Sequence, residues 1–147
     1  MKIINQTKHN TCLACVLAMM VGESEQYVLD WFGDLGVPHS DEDAFIFLAH
    51  HGIYFAVFAD FSQTTEDGKG VDISGYDKFS VNFRLSTHKA YMVVDSPTSN
   101  DITHAVLWDG EKVLDPLCDK PQELGKYKVQ HVYPFITTAK RMVKEVA

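Results

Sequence analysis

A cysteine near the N-terminus stands where a helix is predicted to begin, six residues after a glutamine. The segment reads "NQTKHNTCLACVLAMM" and carries Gln6 and Cys12. A thiol in the first turn of a helix lies near unpaired backbone N–H groups, and the helix dipole there favours the thiolate. Acyl chemistry also needs hydrogen-bond donors for the oxyanion that forms on the attacked carbonyl. The backbone N–H of Cys12 and the side-chain amide of Gln6 could provide these donors.

A histidine and an aspartate flank a predicted β-hairpin in the second half of the chain. The dipeptide Asp109-Gly110 separates two apolar runs, which is typical of a two-residue hairpin turn. With this turn, Trp108 pairs with Glu111, and counting outward places His104 opposite Asp115. Opposed residues share one sheet face, with their Cβ atoms about 5 Å apart. We therefore expect Asp115 to orient the His104 ring and to stabilise its protonated form.

Together these residues predict nucleophilic catalysis by a thiol. His104 would accept the proton of Cys12, and the thiolate would attack a carbonyl carbon. Gln6 would help to hold the oxyanion, while Asp115 would orient the imidazole. We therefore expect Gln6, Cys12, His104 and Asp115 to be catalytic, with no cofactor and no metal ion. Acyl transfer to an amine instead of water would use the same residues.

Each of these residues also has an ordinary structural explanation. Most buried thiols are inert, and Cys15, one turn further into the helix, suits that role best. A His–Asp pair across a hairpin is common on a solvated sheet face. His88 and His131 are the rivals of His104, but neither has a carboxylate placed opposite it in a predicted hairpin.

Two other kinds of cysteine site remain open. The segment Cys12-Leu13-Ala14-Cys15 is a C-x-x-C motif, which in a redox protein follows a strand of a βαβ unit, and no convincing strand precedes it here. A zinc site could combine Cys12, Cys15, Cys118 and a histidine, but a second close pair of ligands is lacking. Both readings therefore rank below catalysis by Cys12.

The order and spacing of these residues resemble those of the papain-like cysteine peptidases. "Q-x5-C" before an N-terminal helix and "HAVLWDG-x3-LDP" late in the chain place the matching positions at Gln6, Cys12, His104 and Asp115-Pro116. The likeness is closest to the small peptidases that include the double-glycine leader-processing domains of bacteriocin exporters. It implies a papain-like fold and hydrolysis of a peptide or isopeptide bond. The alternative is a binding module that keeps this fold without the chemistry.

The elements around these residues are predicted from apolar periodicity, caps and glycines. Asn10 and Thr11 are suitable caps for the cysteine helix, and Ser40 with Asp43 resembles a capping box. Helices are expected at 12–20, 23–33, 40–52 and 137–147, and strands at 53–61, 89–96, 103–108, 111–116 and 127–136, with a loop at 62–78. Helices followed by antiparallel strands indicate an α+β fold, in which the cysteine helix packs on the sheet.

Bulk composition limits the classes of function. The chain has 147 residues, of which 46% are hydrophobic and 22% charged, and we interpret residues 1–147 as one domain. A formal net charge of −7 without a basic stripe disfavours nucleic acid and anionic membranes. Its apolar N-terminal run is too short to span a bilayer. Three cysteines, an odd number, do not suggest a disulfide framework, so we expect a cytoplasmic protein. From the candidate catalytic residues we expect its partner to be a protein or peptide substrate.

Overall fold

The computed structural model describes residues 2–55, 89–97 and 102–137. These residues form three α-helices followed by an antiparallel sheet, so the α+β prediction is confirmed. The helices are α1 (Cys12–Val21), α2 (Glu25–Phe32) and α3 (Asp41–His50), and the strands are β1 (Ile53–Phe55), β2 (Ala90–Asp95), β3 (Thr103–Trp108), β4 (Val113–Leu114) and β5 (Val129–Thr137). The strand order in the sheet is β1-β5-β2-β3-β4.

Several predicted segments fall outside the described residues. They comprise the first predicted strand beyond Phe55, the loop at 62–78 and His88. The closing helix predicted for 137–147 also lies there, except for Thr137, which is the last residue of β5 and not helical.

Helix α1 is the central element of the fold. Residues Leu13–Val21 are all buried, as expected for a helix that is apolar on every side. Gly22 ends the helix with φ of 75°, a left-handed conformation that glycine adopts without strain. No single described helix is long and apolar enough to cross a membrane. Helix α1 and the helical segment Glu25–Leu35 have the length and composition of a membrane span only when they are taken together, and they are bent by 107° at the break between them.

Helix α3 begins as its sequence predicts. The Ser40 hydroxyl accepts the Asp43 N–H at 3.2 Å, and the Asp43 carboxylate accepts the Ser40 N–H at 3.3 Å. This reciprocal pair is a capping box, which satisfies two N–H groups at the helix start.

Strand β3 divides its side chains between two apolar clusters. Ala105 and Leu107 belong to the cluster that contains α1, whereas Val106 and Trp108 belong to the cluster on the other face. This alternation follows from the two-residue period of a strand. The sheet therefore supports the cysteine helix through the odd-numbered residues of β3.

The hairpin that follows β3 differs from the prediction in register. Trp108 pairs with Val113 instead of Glu111, so the connection Asp109–Lys112 has four residues instead of two. The predicted register is therefore wrong by two residues. Because side chains alternate with a period of two, Asp115 stays on its predicted face of the sheet.

The longer turn is explained by the side chain of Asp109. Its Oδ1 accepts the N–H groups of Glu111 and Lys112, each at 2.8 Å. The Asp109 N–H donates in turn to the Lys112 carbonyl at 3.1 Å. An aspartate that bonds to the backbone two and three residues ahead stabilises a wider turn than Asp-Gly alone predicts.

Candidate active site

His104 and Asp115 are in direct contact. Nε2 of His104 lies 2.6 Å from Oδ1 of Asp115, and the two side chains are only 5% and 1% exposed. Continuing the observed register past β4 places Asp115 diagonally across from His104 on the same sheet face, a separation that such side chains can bridge. His104 and Asp115 are therefore in contact even though the observed turn is two residues longer than the predicted one.

Two further donors hold the Asp115 carboxylate. Leu117 donates its N–H to Oδ1 at 2.9 Å, and the Tyr127 hydroxyl donates to Oδ2 at 2.7 Å. Burial alone raises the pKa of Asp115, but the hydrogen bonds from His104, Leu117 and Tyr127 lower it below its ordinary value. Asp115 is therefore a buried, ionised acceptor beside the imidazole.

Cys12 is the first residue of α1, and its sulfur lies among hydrogen-bond donors. These are the His104 ring and the backbone N–H groups of Ala105 and Leu13. The Ala105 N–H is accessible because β4 pairs only with the last two residues of β3. By strand alternation His104 shares the face of Val106, away from α1. His104 is the second residue of β3, and its ring lowers the pKa of the Cys12 thiol.

The protonation equilibria of Cys12 and His104 favour a charged pair. Burial raises the pKa of Cys12, but the hydrogen bonds of the sulfur and the charge of His104 bring it below 9.0. Burial lowers the pKa of His104, but the Asp115 and Cys12 contacts raise it to about 9. Both shifts run in the direction that favours a thiolate beside an imidazolium.

The contact with Asp115 also fixes which ring nitrogen can serve the thiol. Asp115 occupies Nε2 of His104, so Nδ1 remains for Cys12. In the Ser-His-Asp arrangement the carboxylate holds Nδ1 and Nε2 is the base. The two nitrogens have exchanged roles here, while the order carboxylate–imidazole–nucleophile is the same.

The start of α1 has no side-chain cap, in contrast to the prediction for Thr11. Thr11 occupies the N-cap position, but its buried hydroxyl donates to the Lys8 carbonyl at 3.0 Å and accepts the Lys8 N–H at 3.3 Å. The first N–H groups of the helix are thus not taken up by a cap. One of them, the Leu13 N–H, helps to lower the pKa of the Cys12 thiol.

Gln6 lines the same cleft as Cys12 and His104. Its Nε2 donates to the Lys8 carbonyl at 2.8 Å, which uses one of the two N–H bonds of the amide. Its Oε1 is buried and has no hydrogen-bond partner among the described residues. The amide therefore keeps one donor and one acceptor that a bound molecule could use.

The three cysteines differ in environment. Cys15 is fully buried, and its thiol donates to Glu25 Oε2 at 3.1 Å. Burial is the main reason that the pKa of Cys15 is raised, and burial likewise raises the pKa of Cys118. Cys12 is the one cysteine of the chain whose pKa is lowered.

The cleft beside Cys12 has a volume of about 690 Å³. Its apolar wall includes Leu13 and Val93, and its polar wall includes Tyr91 and His131. His131 stacks on Tyr133 with ring centroids 6.0 Å apart, and the imidazole that bonds to the Cys12 thiol is that of His104. Such a cleft can admit an extended peptide segment or a small molecule.

Two residues that organise the site carry no signal in the sequence. Tyr127 holds Asp115, and Glu25 accepts hydrogen bonds from Thr7 and Cys15. No spacing rule links these partners, because each contact depends on tertiary packing.

Comparisons with known proteins and possible metal ligands add no further assignment. No protein-family model, curated protein or solved structure matches this chain. In the part of the chain that the structure describes, no three His, Cys, Asp or Glu side chains are grouped so as to hold a metal ion. The geometry around Cys12 is therefore the feature that indicates a function.

Proposed function

We propose that this protein is a papain-like cysteine peptidase that hydrolyses a peptide or isopeptide bond through an acyl-enzyme on Cys12. One observation carries the proposal: Cys12 and His104 line one cleft, where the imidazole lowers the pKa of the thiol, and Nε2 of this imidazole is 2.6 Å from a buried carboxylate. Such a chain of groups is what an activated thiol nucleophile requires. The α+β fold, with an N-terminal cysteine helix packed on an antiparallel sheet, is compatible with a papain-like architecture.

In the first step the Cys12 thiolate attacks the carbonyl carbon of the scissile bond. The carbonyl oxygen becomes an oxyanion, which the uncapped N–H of Cys12 and the free N–H of the Gln6 amide would stabilise. His104, protonated at Nδ1, then gives its proton to the leaving amine as the C–N bond breaks. The acyl group remains on Cys12 as a thioester.

In the second step water hydrolyses the thioester. Neutral His104 takes a proton from the water as its oxygen attacks the carbonyl, and the C–S bond breaks to release the acid and the Cys12 thiolate. Asp115 keeps the ring oriented and stabilises its charged form throughout. An amine in place of water would lead to acyl transfer with the same residues.

The other readings have less support. A C-x-x-C redox protein needs an exchangeable second thiol, whereas Cys15 is buried, hydrogen-bonded to Glu25 and raised in pKa. A binding module would have no need of the His104 pair at the sulfur. The absence of disulfides among the three cysteines agrees with the proposed cytoplasmic location.

A peptide library tests the proposal without knowledge of the natural substrate. The wild-type protein is incubated with a diverse mixture of peptides, and new termini are identified by mass spectrometry. We expect termini that are absent with Cys12→Ala and retained with Cys15→Ala. Termini that persist in Cys12→Ala, or a wild-type protein that modifies no peptide, would contradict peptidase activity at this site.

A further inference from the structure

The carboxylate of Glu25, the first residue of α2, binds the segment that precedes the cysteine helix. Its Oε1 accepts the Thr7 hydroxyl at 2.6 Å, and its Oε2 accepts the Thr7 N–H at 3.1 Å. The Cys15 thiol donates to Oε2 as well, at 3.1 Å. Burial raises the pKa of Glu25, but these donors lower it below its ordinary value. Glu25 is thus an ionised carboxylate that joins α1, α2 and the N-terminal segment.

Thr7 directly follows Gln6, the candidate oxyanion donor. On the other side of Gln6 the segment is attached to the chain just after Asp115. The Gln6 N–H donates to the Pro116 carbonyl at 3.1 Å, and the Asn5 side chain donates to the same carbonyl at 3.2 Å. The backbone of Gln6 is therefore fixed from two sides, by Pro116 and by Glu25.

We propose that Glu25 is a positioning residue, which holds the Gln6 amide at the distance from the Cys12 sulfur that oxyanion stabilisation requires. This inference rests on the proposed function. The described contacts of Glu25 include Thr11, which directly precedes Cys12, but neither Cys12 nor His104 itself. Loss of Glu25 therefore impairs the oxyanion donor and leaves the thiolate–imidazolium pair in place.

Two thiol reagents separate these effects. With p-nitrophenyl acetate the thiolate attacks a carbonyl, an oxyanion forms, and the C–O bond breaks with its electron pair leaving on p-nitrophenolate. With iodoacetamide the sulfur displaces iodide at a saturated carbon, so no oxyanion forms. Acylation thus depends on the oxyanion donors and on the thiolate, whereas alkylation depends on the thiolate alone.

We expect Glu25→Ala to slow acylation of Cys12 by roughly tenfold, since a small misplacement of a catalytic group has effects of this order or larger. Alkylation of Cys12 should stay within about twofold of the wild-type rate, because the thiolate fraction is unchanged. Gln6→Ala should show the same selective loss. The double variant should be no slower than Gln6→Ala, since Glu25 acts through Gln6.

Three further variants make the test specific. Glu25→Gln keeps an oxygen that can accept from Thr7, so it should recover part of the acylation rate. Thr7→Val removes the hydroxyl donor with little change of volume and serves if Glu25→Ala does not fold. Glu42→Ala is the matched control, because Glu42 is also in the first turn of a helix but is exposed and makes no hydrogen bond to the N-terminal segment.

The outcomes distinguish the two proposals. A selective loss of acylation in Glu25→Ala, or in Thr7→Val where the former does not fold, supports the positioning role. Equal losses of acylation and alkylation, or no loss of either, overturn that role and leave the peptidase proposal intact. A wild-type protein that is not acylated at Cys12 overturns both.

Discussion

Asp115→Asn should lower the pKa of His104 and leave the fold intact. The pKa of His104 rises from an ordinary 6.5 to about 9 in the folded protein, through hydrogen bonds and charge from Asp115 and Cys12. At 1.36 kcal/mol per pKa unit, this is a preference for the charged ring of about 3 kcal/mol. Asp115 is the largest of the favourable causes. Asparagine can still accept a hydrogen bond from the ring but contributes no charge, so we expect the pKa to fall by at least about one unit.

The assay is an NMR titration of the imidazole C–H resonances, with His104→Ala to assign the signal. The wild-type ring should titrate near pH 9 and the Asp115→Asn ring clearly lower. A wild-type His104 that titrates near 6.5, or an unchanged value in the variant, would refute the argument. Chemical denaturation gives an independent check. Because the pKa of His104 is raised in the folded state, protonation of this ring stabilises the fold by its full amount below pH 6.5. This stabilisation is lost as the pH rises through about 9.

Two further variants and their measurements follow from the same contacts. Cys15→Ala should cost roughly 1–2 kcal/mol of unfolding free energy, since it leaves a small cavity and removes the thiol that donates to Glu25; denaturant titration measures this, and activity should survive. Tyr127→Phe removes one donor from Asp115, so the pKa of that carboxyl should rise. The lowered pKa of the Asp115 carboxyl stabilises the fold at pH values above the pKa of this group in the unfolded chain, and the stabilisation is lost as the pH falls through the folded-state pKa. Acid unfolding of Tyr127→Phe should therefore begin at a higher pH than that of the wild type.

Much of the helical part of the fold could be predicted, because its signals are local. The uncharged run of α1, its glycine end and the Ser40–Asp43 capping box each depend on residues a few positions apart. The hairpin register could not be predicted from Asp-Gly alone. The side chain of Asp109 binds two backbone N–H groups and widens the turn. The Thr11 cap failed for a similar reason, since its hydroxyl is hydrogen-bonded to Lys8.

For the candidate site, the sequence indicated the reactive groups but not the residues that hold them in place by hydrogen bonds. The predicted contact between His104 and Asp115 is present although the predicted register was wrong, because a shift of two residues leaves Asp115 on the same face of the sheet. The roles of Tyr127 and Glu25 depend on how separate elements pack, which no spacing along the chain specifies. The exchange of ring nitrogens likewise follows from three-dimensional placement only.

The most direct test of the central claim is the thiol pKa of Cys12. Each of the three cysteines is alkylated with iodoacetamide across a pH series in the folded protein, and the modified sites are quantified by mass spectrometry. Cys12 should react as a thiolate at lower pH than Cys15 or Cys118, and faster than either at neutral pH. In His104→Ala this advantage should disappear. Equal reactivity of the three cysteines, or a Cys12 rate that does not depend on His104, would contradict the assignment of Cys12 as the nucleophile.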